Sequence, residues 1–265
     1  MPTTTILSIL GLEHSGTTLL VRILNNHEDA AAIGGMKNIA DFAIGKRTCS
    51  CGKTHGECLF WAALAGEFSK RGRELQQVSE AIKQHDAGVI RQFFEAVAAS
   101  TGKSLIVESS RQPSYLALLP GTPDFASVAL HIFKHPGAQA WSAYRAGRPV
   151  LREMRHYRRR SRAILQHLSS HRAAIHVSHE DFCTAPEVHL RRVLALAGRQ
   201  PGKEQLDTWG GKDMHIIGGN RMKRDNSSAV KSDDSWRQRL PLAHRLTATA
   251  IGSAPYRENL AASRA

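Results

Sequence analysis

Apolar residues alternate along this chain between two rhythms. Thr4–Leu10 (TTILSIL) is a short apolar, β-branched run of the kind buried in a sheet, and further strand-like runs recur at Ser104–Val107, Val128–Phe133 and Ala174–Ser178. Between them the spacing lengthens to that of helices, predicted at Thr17–Asn25, Leu59–Ser69, Val89–Ala99, Ala138–Ala146, Leu151–Ser169 and Pro186–Ala197. In the last of these Leu190, Val193, Leu194 and Ala197 form one stripe, and Pro186 takes the favoured first turn. Strands alternating with helices predict an α/β protein with three layers, α/β/α, around a central parallel sheet. Ligands in such sheets gather beyond the carboxyl ends of the strands. The stretch Gly202–Asp234 is polar, glycine-rich and aperiodic, which predicts a long functional loop that closes over a ligand. The tail after Pro255 is expected to fray. The 265 residues predict one domain, 1–265, with a small cysteine-containing insert at about 45–62.

Directly after the first strand comes Gly11-Leu12-Glu13-His14-Ser15-Gly16-Thr17-Thr18, and an apolar-faced helix follows without a breaker. A strand, a glycine-bearing turn and a helix start form an anion cradle, because unpaired backbone N–H groups and the positive end of the helix dipole face the turn. The hydroxyls of Ser15, Thr17 and Thr18 add donors there. Gly11 and Gly16 have the spacing of the nucleotide-binding pattern G-x-x-x-x-G-K-[ST], but Thr17 stands where the lysine belongs. That lysine reaches the β- and γ-phosphates of a nucleoside triphosphate, so its loss counts against ATP or GTP hydrolysis. The plainest alternative is an ordinary strand-to-helix turn.

His14–Leu20 (HSGTTLL) resembles the 5′-phosphosulfate loop of the sulfotransferases that use 3′-phosphoadenosine 5′-phosphosulfate (PAPS), which reads Lys/Arg-Ser-Gly-Thr-Thr before apolar residues. His131–Ser142 is similar to the second signature of that family, a strand ending in Arg-Asp-Pro with a serine eight positions after the arginine. Lys134 and Ser142 occupy those two positions. Val177–Phe182, with His179 inside it, is similar to a Tyr-Glu-Asp-Leu segment, and His215–Lys223 resembles a late Gly-Asn-Pro-Met-Arg loop. Bacterial members carry inserts comparable to Cys49-Ser50-Cys51-Gly52 with Cys58-Leu59-Phe60-Trp61, and Glu108–Arg111 resembles an acidic-Ser-Ser-Lys segment.

The resemblance implies a P-loop-like sulfotransferase fold and transfer of a sulfuryl group from PAPS to an acceptor hydroxyl or amine. The product is adenosine 3′,5′-bisphosphate, and no metal is required. It implies that His14, Ser15, Gly16, Thr17 and Thr18 hold the 5′-phosphosulfate, with Lys134 and Ser142 on the 3′-phosphate. His179, Asn220, Arg221 and Lys223 complete the expected donor site. The chain departs from the pattern at His14, where the family has lysine or arginine. A bound anion favours imidazolium, which then donates to the bridging oxygen as charge develops. The alternative is a neutral, loop-shaping His14 with charge supplied by Lys223 or Arg111. Gly35 stands where many relatives have an acidic residue, leaving Glu13 and Glu108 as candidate bases. Lys134-His135 replaces Arg-Asp, which loses arginine's bidentate fork, and His135 is a candidate second donor.

A net charge of +13 is more than a PAPS cleft explains. Arg148–Arg162 packs 7 arginines into 15 residues. The run reads either as a solvated helix face or as a patch for an anionic acceptor or lipid headgroups, the latter implying peripheral membrane contact through Arg152–Arg162. No helix-turn-helix, zinc-finger or aromatic-interleaved pattern supports specific nucleic-acid binding. No apolar run is long enough for a membrane helix and no leader is evident, so the expected address is the cytoplasm, with the inner membrane face as an option. Acceptors compatible with these features include a carbohydrate, a glycolipid or a small hydroxylated molecule. Cys49, Cys51, His55 and Cys58 form C-x-C-x3-H-x2-C, a compressed zinc-like spacing for which a disulfide or reduced buried thiols are the preferred readings. Two competing functions stand: a P-loop-like kinase using ATP and Mg²⁺, with Asp124 or Asp181 as metal ligand, and a non-catalytic anion- or membrane-binding protein.

Overall fold

The computed structural model describes residues 4–116, 125–202, 206–207, 214–219 and 229–264. Five strands, Thr4–Leu10 (β1), Ala30–Gly34 (β2), Leu105–Glu108 (β3), Phe125–Phe133 (β4) and Ala174–Ser178 (β5), form one sheet in the order β2-β3-β1-β4-β5. Pairing is parallel, with Thr5 opposite Leu105, Ala30 opposite Leu105 and Ala129 opposite Ala174. The helices are Thr17–Asn25 (α1), Ile39–Ala43 (α2), Leu59–Ser69 (α3), Leu75–Lys83 (α4), Ala87–Thr101 (α5), Pro113–Leu116 (α6), Pro136–Arg145 (α7), Val150–Leu168 (α8), His179–Thr184 (α9), Pro186–Leu196 (α10), Trp236–Arg239 (α11) and Leu242–Arg264 (α12). This is the expected three-layer α/β/α arrangement. Among the described residues no helix is long and apolar enough to cross a membrane.

The chain divides into two compact units. The first comprises Met1–Ile9, Thr18–Val128 and Leu194–Ser228. Its core gathers Ile6, Ile33, Phe42, Trp61, Phe68, Phe93, Phe94 and Ile106, all nearly sealed from water. Helix α5 shows how the sequence builds this unit. Asp86 caps its start by accepting the Val89 amide at 3.0 Å, and Val89, Ile90, Phe93, Phe94 and Val97 fall on the buried face. Gly102 ends it in the left-handed conformation at φ 66°, which glycine adopts without strain.

The second unit comprises Leu10–Thr17, Ala129–Val193 and Ala229–Ala265. Its core includes Leu12, Val150, Met154, Tyr157, Trp236, Leu240 and Ala248. In α8 the buried positions Val150, Met154, Tyr157, Ser161, Ile164 and Leu168 recur every three or four residues, so Arg152, Arg155, Arg158, Arg159 and Arg162 fall on the exposed face. The tail after Pro255 is not frayed: α12 runs through the proline to Arg264 and packs on α7, α8 and β5. Ala248, Gly252, Pro255 and Asn259 form its buried stripe, and Gly252 lies so close to Pro136 and Met154 that a Cβ there collides with the proline. An interior proline removes one helical hydrogen bond, and this packing offsets the loss.

Candidate functional site

In the second unit the chain leaves β1 and makes the Gly11–Thr17 turn. A Cβ on Gly11 would strike the Ile132 carbonyl, so only glycine lets the turn lie against β4. Buried Ser15 closes the turn on itself: its hydroxyl donates to the Leu12 carbonyl at 2.8 Å. His14 is exposed and left-handed at φ 66°, a conformation costing about 1 kcal/mol for a non-glycine residue. Gly16 sits at φ 103°, and a Cβ there would come within 2.5 Å of His179 Cδ2. Thr17, buried, opens α1, whose first-turn amides have no partner within the helix. A tight turn at a helix N-terminus results, with the unpartnered first-turn amides as its donors.

A brace invisible in the sequence pattern holds this turn. The side-chain amide of Gln139, fully buried on α7, donates to the Glu13 carbonyl and to Glu153 Oε1, each at 2.8 Å. Arg148 then pairs with Glu153 at 3.1 Å and reaches the exposed Glu13 carboxylate at 3.8 Å. The first arginine of the basic run therefore serves the loop. Desolvation, then the Arg148 charge, holds the His14 pKa below its ordinary 6.5, with Glu13 and Glu153 opposing.

Lys134 ends up buried just past β4, and burial lowers its pKa while Glu180 and Asp233 pull the other way. Its charge is felt by His14 and by His179, the buried first residue of α9. Burial, then Lys134, lowers the His179 pKa to about 4, so His179 is a neutral wall of the turn at pH 7. His135 uses its Nδ1 within the fold, so only its Nε2–H is left to act as the expected second donor. It caps α7, its Nδ1 accepting the Gly137 amide at 3.1 Å, and its ring stacks on Trp236 at 4.6 Å and meets Tyr256 at 5.0 Å. Its own amide donates to Glu180 at 3.0 Å. Ser142 lies half-buried on α7 with its hydroxyl turned back to the Ala138 carbonyl at 3.1 Å. Asp181 is exposed on α9.

In the first unit Glu108 is fully buried at the end of β3 and accepts the Ser110 amide at 2.6 Å. Burial raises its pKa, against hydrogen bonds from Ser110 and Ser8. The Ser110 hydroxyl in turn accepts the Met36 amide at 2.9 Å. Gly35 has little room for a side chain, since a Cβ would sit 3.0 Å from Asn38 Nδ2 and 3.4 Å from the Ser109 carbonyl. Thr18 lies beside Gly219, where a Cβ would be 3.5 Å from its side chain. Asn220, Arg221, Lys223 and Asp124 lie outside the described residues, as does most of the expected covering loop.

Also in the first unit, Cys49, Cys51 and Cys58, none of them in a disulfide, converge with His215, and the four ligand atoms lie within 4.8 Å of one another. The fourth member is not His55, whose ring packs edge-on against Phe42. His215 is 157 residues beyond Cys58, so no local spacing announces it.

A family model described as the Sulfotransferase family matches residues 7–200. No curated protein sequence matches the chain. Among solved structures, the sulfotransferase domain from the curacin biosynthetic pathway is similar at TM-score 0.58 and 16% identity, over 96% of this chain and 97% of that one. The sulfotransferase domain from the Synechococcus PCC 7002 olefin synthase is similar at TM-score 0.59 and 19% identity, over 95% of this chain and 94% of that one. At these identities the structural likeness speaks to fold alone.

Proposed function

The chain belongs to the sulfotransferase family, and from that premise we propose that it moves the sulfuryl group of PAPS to a hydroxyl or amine of an acceptor, leaving adenosine 3′,5′-bisphosphate. The observation that carries this reading is the pairing, within the second unit, of the glycine-lined turn Gly11–Thr17 with buried Lys134, whose charge reaches both His14 and His179. Side chains on Gly11 or Gly16 would collide with the Ile132 carbonyl or with His179, and a buried lysine charge is stabilised by an anion brought close to it.

PAPS, when bound, supplies the activated sulfuryl group. The acceptor oxygen or nitrogen bonds to sulfur, the bond from sulfur to the bridging oxygen breaks, and its electron pair stays on the departing phosphate. The protein's part is positioning and charge stabilisation. Amides of the Ser15–Thr18 turn hold the 5′-phosphate end. Lys134 and Ser142 serve the 3′-phosphate, Ser142 by swinging its hydroxyl from Ala138, and Asn220, Arg221 and Lys223 add contacts. His14, neutral in the free protein, takes up a proton as the anion binds and donates it toward the bridging oxygen. Glu13, exposed, is the candidate to receive the acceptor proton, whereas Glu108, sealed and bonded to Ser110, acts by ordering its turn. The exposed arginines of α8 favour an anionic acceptor, with glycans and glycolipids among the candidates.

Incubation with sulfur-labelled PAPS and a panel of anionic and neutral glycans, without added metal, tests the proposal. Label transferred to an acceptor with release of adenosine 3′,5′-bisphosphate is expected. Absence of both transfer and bisphosphate binding refutes it.

A further inference from the structure

Cys49, Cys51, Cys58 and His215 are arranged as a closed ligand set. Cys49 Sγ lies 3.8 Å and Cys58 Sγ 3.3 Å from the same ring atom, His215 Nδ1. Zinc bonds of about 2.3 Å to sulfur and about 2.0–2.1 Å to nitrogen, set tetrahedrally, separate ligand sulfur from ligand nitrogen by about 3.6 Å. The two distances bracket that value. We propose that these four residues bind one structural zinc ion through three thiolates and His215 Nδ1, and that the ion fastens the Met214–Gly219 segment to the insert between α2 and α3.

The surroundings are built for this. Cys49 and Cys51 flank a tight turn in which the Cys49 amide donates to the Lys53 carbonyl and the Gly52 amide to the Cys49 carbonyl, both at 2.9 Å. Gly52 stands at φ 88°, as such a turn requires. Cys58 precedes α3, whose Trp61 donates Nε1–H to the His215 carbonyl at 2.9 Å, while Phe60 stacks on the His215 ring at 5.5 Å. Ser50 is bonded to both sides of the same segment: its amide donates to the Ile216 carbonyl and its hydroxyl accepts the Ile216 amide, each at 3.0 Å. Ile217 adds bridges to Cys49 and to Gly34. Cys49 and Cys58 are sealed from water, His215 is half-buried and Cys51 is exposed, so the cluster lies at the edge of the core. Four protein ligands with no open position mark a structural ion rather than a catalytic one, and thiolate with imidazole favours zinc. Each thiol that binds releases its proton to solvent.

The consequence reaches beyond the knot itself. Gly219, its near neighbour in sequence, lies beside Thr18, and Asn220, Arg221 and Lys223 follow immediately. A fastened His215 therefore anchors the root of that segment.

The test uses the full chain purified under reducing conditions. Elemental analysis should return about one zinc per chain. Chelation should lower Tm, and cobalt(II) added to the stripped protein should give tetrahedral ligand-field bands with thiolate charge transfer. Cys51→Ser, at an exposed position that spares the core, and His215→Ala should each cut retained zinc several-fold, while His55→Ala should retain it. Protein without zinc and without cobalt–thiolate bands overturns the proposal, as does zinc lost in His55→Ala but kept in His215→Ala. These readouts need no PAPS, so they stand or fall apart from the transfer reaction.

Discussion

Gly16 shows at one residue why the cradle is chemically particular. Its φ of 103° and its closeness to His179 both exclude a side chain. Gly16→Ala should cost about 1–3 kcal/mol in stability and weaken adenosine 3′,5′-bisphosphate binding at least about tenfold, equivalent to about 1.4 kcal/mol, as read by melting and calorimetry. His14 carries a second expectation. Its pKa lies below the ordinary value, so near neutrality the free protein holds it unprotonated and anion binding draws a proton in. The protonated form binds an anion better, so bisphosphate affinity should fall as pH rises through the pKa of the complex. Calorimetry in buffers of different ionisation enthalpy should register the proton uptake, and His14→Asn should abolish it while lowering kcat by about 10²-fold. The turn's glycines and hydroxyls were legible in the sequence because their order is local. Gln139, His179's contact with Gly16 and His215 carry no such signal, since each is brought in by tertiary structure from far along the chain.

At the scale of elements, β1, α1, α3 and β5 lie where the apolar runs place them, because burial and propensity agree there. Strand β2 (AAAIG) escaped notice because alanine and glycine are poor strand formers, and only pairing with β3 makes it one. Helix α12 escaped because Pro255 reads locally as a stop, whereas its packing on α7 and α8 overrides that preference. A chain ending at Ala254 should therefore lose Tm by many degrees, where removal of a frayed tail would leave it unchanged. The brace joining α7 to the turn gives a further expectation. Gln139→Leu removes two buried donors, leaving the Glu13 carbonyl and Glu153 short of partners at about 2–3 kcal/mol. Denaturant melts should show that loss, and KM for PAPS should rise more than kcat falls.

Across the whole molecule, buried histidines set the response to acid. Burial, then the His176 charge, lowers the His131 pKa to about 3, and its Nδ1 lies 3.1 Å from that of His176; the His179 pKa is about 4. Folded pKa values below the unfolded value of about 6.5 mean that the unfolded chain binds protons first. The stability these groups contribute is full above pH of about 6.5 and drains away as pH falls toward their folded values. For His179 the depression is worth about 3 kcal/mol, and urea midpoints between pH 7 and 5 should decline accordingly. The excess positive charge was legible in composition, but its division between loop support by Arg148 and the exposed face of α8 required the fold. The central claim, a donor site that recognises a 3′-phosphate, is tested most directly by melting the protein with adenosine 3′,5′-bisphosphate, AMP and ATP, without metal and with Mg²⁺. A clear rise in Tm with the bisphosphate in the absence of metal, and little with AMP, is the predicted result; no rise, or one confined to ATP with Mg²⁺, would contradict it.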